Sequence, residues 1–188
     1  MNTISTQEFA SRFLAAQQGD MQAQYLMGTC FEFGKHVEQN YRTAAAYYQM
    51  AAAQGHLMAQ FTLAAFYYRG KGIEKNYRKA FDLYQTTANK GLTVGIRNLA
   101  ICFYNGIDVV PNRVEAFRLC QIAAGRGEAY SQYSLGLFYL KGEIVGQDYA
   151  KARELFEKAA RRGYAPAQLE LRNLSLGLLG MNNGVGNA

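Results

Sequence analysis

Cysteine is rare in this 188-residue chain: there are three, Cys30, Cys102 and Cys120. An odd, sparse set argues against a disulfide framework and fits a reducing compartment. Histidine is rarer still, with His36 and His56 alone. They fall in a corner and at a helix start, in different registers, so they do not make a helical metal-ligand pair. No run approaches the ~18 consecutive apolar residues of a bilayer-spanning helix. The opening MNTISTQEFASRFLAAQQGD lacks a basic start followed by an apolar block, so no secretory signal is read. A cytoplasmic location is therefore expected, with a secreted effector as the alternative. No Ser–His–Asp grouping, inward carboxylate pair or metal triad stands out, so neither catalysis nor a cofactor is expected.

What remains is globular in character. Apolar residues make up 49% of the chain and charged residues 18%, which fits a folded domain with a sizeable core and not a disordered segment. The net charge of +6 leans towards acidic partners and says nothing about fold.

Glycine supplies the main signal. Gly19, Gly55, Gly91, Gly127 and Gly163 each stand 36 residues after the one before. With glycine near ~7% of ordinary sequence, and about a tenth here, four further hits in phase arise by chance on the order of once in ten thousand. Gly34, Gly70, Gly106 and Gly142 keep the same period, as do Ala44, Ala80, Ala116 and Ala152, and Phe31, Tyr67, Phe103 and Tyr139. A period of this length means stacked supersecondary units.

Each unit reads as two helices. In DMQAQYLMGTCFEF, Ala23, Met27 and Phe31 form a helical stripe. Gly34 ends it, because glycine accepts the left-handed conformation found past helix C-termini. A corner follows whose apolar member recurs as Val37, Ile73, Val109 and Val145. Asn40, Asn76, Asn112 and Asp148 then stand where an N-cap is needed. The second helix runs over about 41–54 and carries Ala44, Tyr48, Ala51 and Ala52 on one face. The glycine-rich segment RGKG, residues 69–72, is the corner of the second unit. It follows a helix, whereas a phosphate-binding loop follows a strand and leads directly into a helix.

Small residues at Ala23, Ala59, Gly95, Ser131 and Ala167, and at Gly28, Ala64, Ala100 and Gly136, let neighbouring helices lie close. A lone unit cannot bury its apolar face, but four with covered ends can. The expected organisation is one domain over 1–176: a cap helix at about 5–18, repeats at 19–54, 55–90, 91–126 and 127–162, and a terminal helix at 163–176. Residues 177–188, rich in Gly and Asn, are expected to form a flexible tail.

The pattern A-x-x-x-L-G-x-x-Y-x-x-G, then Asp or Asn, then A-x-x-x-Y-x-x-A-A-x-x-G resembles the Sel-one-like repeat (SLR) family, related to tetratricopeptide repeats. SQYSLGLFYLKGEIVGQDYAKARELFEKAARRG, from Ser131 to Gly163, is the clearest match, and the resemblance extends from Gly19 to about Leu174. The third unit departs most: Gly95 replaces the usual Ala, VVPN fills its corner, Arg113 replaces Tyr, and Cys120 stands where the others carry Tyr or Phe. Looser local packing is expected there. The resemblance implies an all-α, right-handed α/α superhelical solenoid with a concave face, acting as a scaffold or adaptor for other proteins without turnover. An inhibitor or immunity-type protein is the second reading, and a carbohydrate-binding module or enzyme the third.

By analogy with tetratricopeptide domains, the first helix of each unit lines the inner surface. The candidate partner-binding residues are then Tyr25, Phe33, Phe61, Tyr68, Arg69, Arg97, Tyr104, Tyr130, Tyr133 and Lys141, with Ile101, Asn105 and Leu137 in the same registers. Tyr and Arg dominate binding hot spots because they bury much area and still hydrogen-bond. The expected partner is a protein or peptide of acidic character. For Tyr25, Phe61 and Tyr133 packing between repeats is the preferred alternative, whereas Tyr68, Tyr104 and Lys141 are assigned to the groove. The basic cluster Arg69, Lys71, Lys75, Arg78 and Lys79 is diluted by Glu115, Glu154 and Glu157, and reads as a solvated face and not as a nucleic-acid stripe. Lys158, Arg161 and Arg162 end a helix, where cations favour the dipole. The sequence sets no oligomeric state.

Overall fold

The structure, a computed structural model, describes residues 6–177. Within them lie ten helices and no strand. These are α1 (Thr6–Gln17), α2 (Met21–Phe33), α3 (Tyr41–Ala53), α4 (Leu57–Arg69), α5 (Tyr77–Asn89), α6 (Thr93–Asn105), α7 (Arg113–Gly125), α8 (Ala129–Lys141), α9 (Tyr149–Arg161) and α10 (Ala165–Ser175). The fold class is an all-α solenoid of helical hairpins. Apart from Gly177, the Gly/Asn-rich segment lies outside the described residues.

The hairpins are punctuated by side chains in phase. The side chains of Asn40, Asn76, Asn112 and Asp148 accept the backbone N–H three residues on, at 2.9, 2.9, 3.0 and 2.8 Å. Each of these caps also donates its own N–H back to the preceding helix, to the carbonyls of Phe31, Tyr67, Phe103 and Tyr139 at 2.8–2.9 Å. The corner is thus tied at both ends. Gly34, Gly70 and Gly142 take left-handed φ of 66°, 69° and 68° to close the first helix of their hairpins. Two residues after Gly34, Gly70 and Gly106, a second left-handed position holds His36, Gly72 and Asp108. At Gly72 a Cβ would overlap the Tyr41 carbonyl, so this corner requires glycine. That backbone approach accounts for RGKG.

By packing, the chain forms two compact units, one ending at Gly95 and the other starting at Ile96. In the first, α1 packs on α2, α2 on α3, α3 on α4 and α4 on α5. Its core is made of Ala16, Met27, Ala44, Tyr48, Ala51, Ala59, Ala64, Phe66 and Ala80. In the second, α7 packs on α8, α8 on α9 and α9 on α10, around Ala116, Ala123, Phe138, Phe156, Ala159 and Ala167. The alanine register 44, 80, 116 and 152 is fully buried throughout, at 0–1% exposure.

Helix contacts are set by matched sizes. A Cβ on Gly28 would sit 2.5 Å from the Tyr48 ring, and one on Gly136 would sit 2.5 Å from the Phe156 ring. The glycine in the first helix therefore makes room for the ring in the second. Gly95 plays a similar part: a Cβ there would meet Thr87 Oγ1 at 2.5 Å. Thr87 occupies the register of Ala51, Ala123 and Ala159 and is fully buried. Its hydroxyl donates to the Leu83 or Tyr84 carbonyl, each 3.0 Å away. Atoms added at Thr87 are accommodated by atoms removed at Gly95.

Candidate functional site

The second unit carries an open, mainly apolar cavity of about 130 Å³. Ala100, Ala116, Cys120 and Phe138 form its buried floor, and Ile101, Tyr104, Tyr130, Tyr133, Leu137 and Lys141 its walls and mouth. Of the sequence-predicted partner residues, the structure brings Tyr104, Tyr130, Tyr133 and Lys141 together here. Ile101, Asn105 and Leu137, from the same helical registers, line the same opening.

Rings and charges fix these walls. Tyr104 packs edge-on against Phe138 at 5.8 Å, and the Arg113 guanidinium stands over the Tyr104 ring at 5.3 Å. Tyr133 packs on Phe156 at 5.7 Å and on Tyr164 at 5.2 Å, so it serves the core as well as the cavity. Tyr130 meets Tyr164 edge-on at 6.1 Å. Burial pushes the phenol pKa of Tyr130 and Tyr133 up, so both are neutral hydrogen-bonding groups near pH 7. At the mouth Glu143 accepts from Arg113 at 2.9 Å and lies 3.8 Å from the Lys141 ammonium. Two cations share one carboxylate.

Arg97 is engaged elsewhere: its guanidinium lies 3.2 Å from Glu128, a half-buried pair in which Glu128 also caps α8. In the first unit Tyr25 packs on Tyr48 at 5.8 Å and stacks on His56 at 4.4 Å, and Phe61 packs on Tyr84 at 6.0 Å. Phe33 is 61% exposed, at the end of α2. Tyr68 is half-buried against Tyr77 at 5.4 Å, and Arg69 is exposed one residue on.

The basic cluster of α4 and α5 is largely absorbed by internal contacts. Lys71 lies 3.0 Å from Glu32 and 4.2 Å above the Tyr41 ring, while the Tyr48 hydroxyl donates to Glu32 at 2.7 Å. Lys75 and Lys79 stand over the rings of Tyr77 and Tyr67, and Arg78 pairs with Asp82.

The floor residues escape a search for exposed aromatic and basic side chains, because they are small and buried. Their signal is a break in two registers. Positions 25, 61 and 133 hold rings that pack on rings at 48, 84 and 156, at 5.7–6.0 Å. In the third hairpin both partners are replaced, by Arg97 and Cys120.

Repeats with these corners, caps and small-residue registers define a class, the Sel1 repeat. The model of that family matches residues 22–56, 57–92, 94–128 and 129–164, and the chain belongs to the Sel1 repeat family. Among solved structures it is similar to a Sel1 repeat protein from Oxalobacter formigenes, with 25% identity and a TM-score of 0.86 over 94% of this chain and 71% of that one. It is also similar to c5321, a protective antigen of uropathogenic Escherichia coli displaying an SLR fold, with 30% identity and a TM-score of 0.79. That match covers 89% of this chain but 36% of the Escherichia coli chain. No curated protein matches significantly. Proteins of the family generally mediate protein–protein interaction. No helix among the described residues is long and apolar enough to cross a membrane.

Proposed function

We propose that this protein is an interaction scaffold whose partner, a protein or peptide with acidic residues, seats on the aromatic and basic surface of the first helices of the hairpins. The observation that carries the reading is the open cavity of the second unit. The sequence-predicted side chains Tyr104, Tyr130, Tyr133 and Lys141 converge on it, and beside its mouth the two cations Arg113 and Lys141 share the single carboxylate of Glu143. Sites of this kind bind by rigid aromatic anchors, and a preformed surface lowers the ordering cost of association. Within the first unit, Phe33, Tyr68 and Arg69 offer aromatic and basic side chains of the same kind. Binding, without turnover, is the activity.

The test is partner capture with Tyr68→Ala and Tyr104→Ala, alongside thermal melts. Loss of a hot-spot side chain weakens association by about 2 kcal/mol or more, roughly thirtyfold. The expected result is that loss with an unchanged melting temperature for at least Tyr104→Ala. Full retention of the partner by both folded variants overturns the proposal.

A further inference from the structure

We propose that the cavity of the third hairpin is a receptor for one aromatic side chain of the partner, a phenyl or phenol ring carried beside a carboxylate. The inference rests on the partner surface proposed above and names what enters it. The repeat itself indicates the shape of the missing group. Tyr48, Tyr84 and Phe156 fill one register with a ring, and only Cys120 leaves it short. The ring that would face it from the first helix is absent too, because Arg97 stands in that register and turns to Glu128 at 3.2 Å. Ala100 and Ala116 add no bulk, so the space stays open at about 130 Å³. An apolar cavity of roughly 150 Å³ holds a benzene ring.

The floor favours a ring over a polar group. Ala100, Ala116 and Cys120 present methyl groups and a thiol, and Phe138 offers a ring edge or face for T-shaped or offset contact. The mouth favours an anion next to that ring. Glu143 pairs more closely with Arg113, at 2.9 Å, than with Lys141, at 3.8 Å, which leaves the Lys141 ammonium at the cavity lining for an entering anion. A ring followed by a carboxylate satisfies both parts of the site.

The test uses hydrocinnamate, a phenyl ring on a short carboxylate chain, titrated into the full chain and followed by methyl and amide NMR. Propanoate, the same acid without the ring, is the control. Expected are saturable shifts centred on Ala100, Ile101 and Ala116 with hydrocinnamate, and none with propanoate. Cys120→Tyr rebuilds the side-chain pair found at Ala64 and Tyr84, so it should fold, fill the space and weaken hydrocinnamate at least tenfold. Cys120→Leu, a smaller plug, should weaken it severalfold and decides the matter if the tyrosine variant does not fold. Lys141→Ala should weaken hydrocinnamate a fewfold while leaving the shifts in the same place. Absence of shifts in the wild type, or shifts undiminished in the folded Cys120 variants, overturns the pocket. Because the probe is a free small molecule, that outcome leaves the partner-capture result of Tyr68→Ala and Tyr104→Ala to stand or fall separately.

Discussion

Two side chains show how single positions are negotiated. Thr87 is larger than the alanines of its register, and Gly95 is smaller than the Ala or Ser of its own. Gly95→Ala places a methyl 2.5 Å from Thr87 Oγ1. Overpacking of this kind costs about 1–3 kcal/mol, partly offset by about 1 kcal/mol of helix propensity. Adding Thr87→Ala to Gly95→Ala recreates the Ala51–Ala59 combination, so the double variant should be more stable than Gly95→Ala alone. Urea denaturation of the full cycle measures the coupling. His56 is the other instructive residue. Its Nδ1 accepts the Ala59 N–H at 3.1 Å as the cap of α4, and its Nε2 meets Gln22 at 2.9 Å. Burial lowers its pKa, and the retained cap requires an unprotonated Nδ1. A folded pKa below the unfolded value of about 6.5 means stability is complete above that value and falls as pH drops through it. The melting temperature should therefore decline from pH 7.5 to pH 5, and His56→Asn, a cap that does not titrate, should flatten the decline.

At the level of the helices, the second of each hairpin was legible almost to the residue. Asn40, Asn76 and Asn112 announce themselves because their side chains do one job repeatedly, and helices begin directly after them. The caps of the first helices were less legible, since Asp20, His56 and Glu128 do that job with three different chemistries. The candidate surface was visible by register for Tyr104, Tyr130, Tyr133 and Lys141, which repeat chemistry and spacing. Its floor showed only as the Cys120 break in a Tyr/Phe register and the looser packing expected there; that the break leaves a cavity did not, because Cys120 acts through volume it does not occupy. Only coordinates show whether neighbours collapse into such a gap. The fates of Arg97 and Lys71 were equally hidden, since each depends on a carboxylate more than thirty residues away, at Glu128 and Glu32.

For the molecule as a whole, repetition makes equivalent substitutions comparable. Asn40→Ala, Asn76→Ala and Asn112→Ala remove the same bond at 2.9–3.0 Å. Each should cost about 1 kcal/mol by chemical denaturation, with the three values close to one another. A marked outlier would show that its corner is held by something besides the cap. The buried thiols have a practical consequence of their own. Cys30 and Cys102 are 4% and 1% exposed, and burial pushes the Cys30 pKa up and that of Cys102 to about 12. In the native state neither offers a maleimide much thiolate to attack. With Cys120→Tyr in place, one sulfhydryl would stay on either side of Gly95. Pulse alkylation read by mass spectrometry would then time the breathing of each half independently, with no added dye.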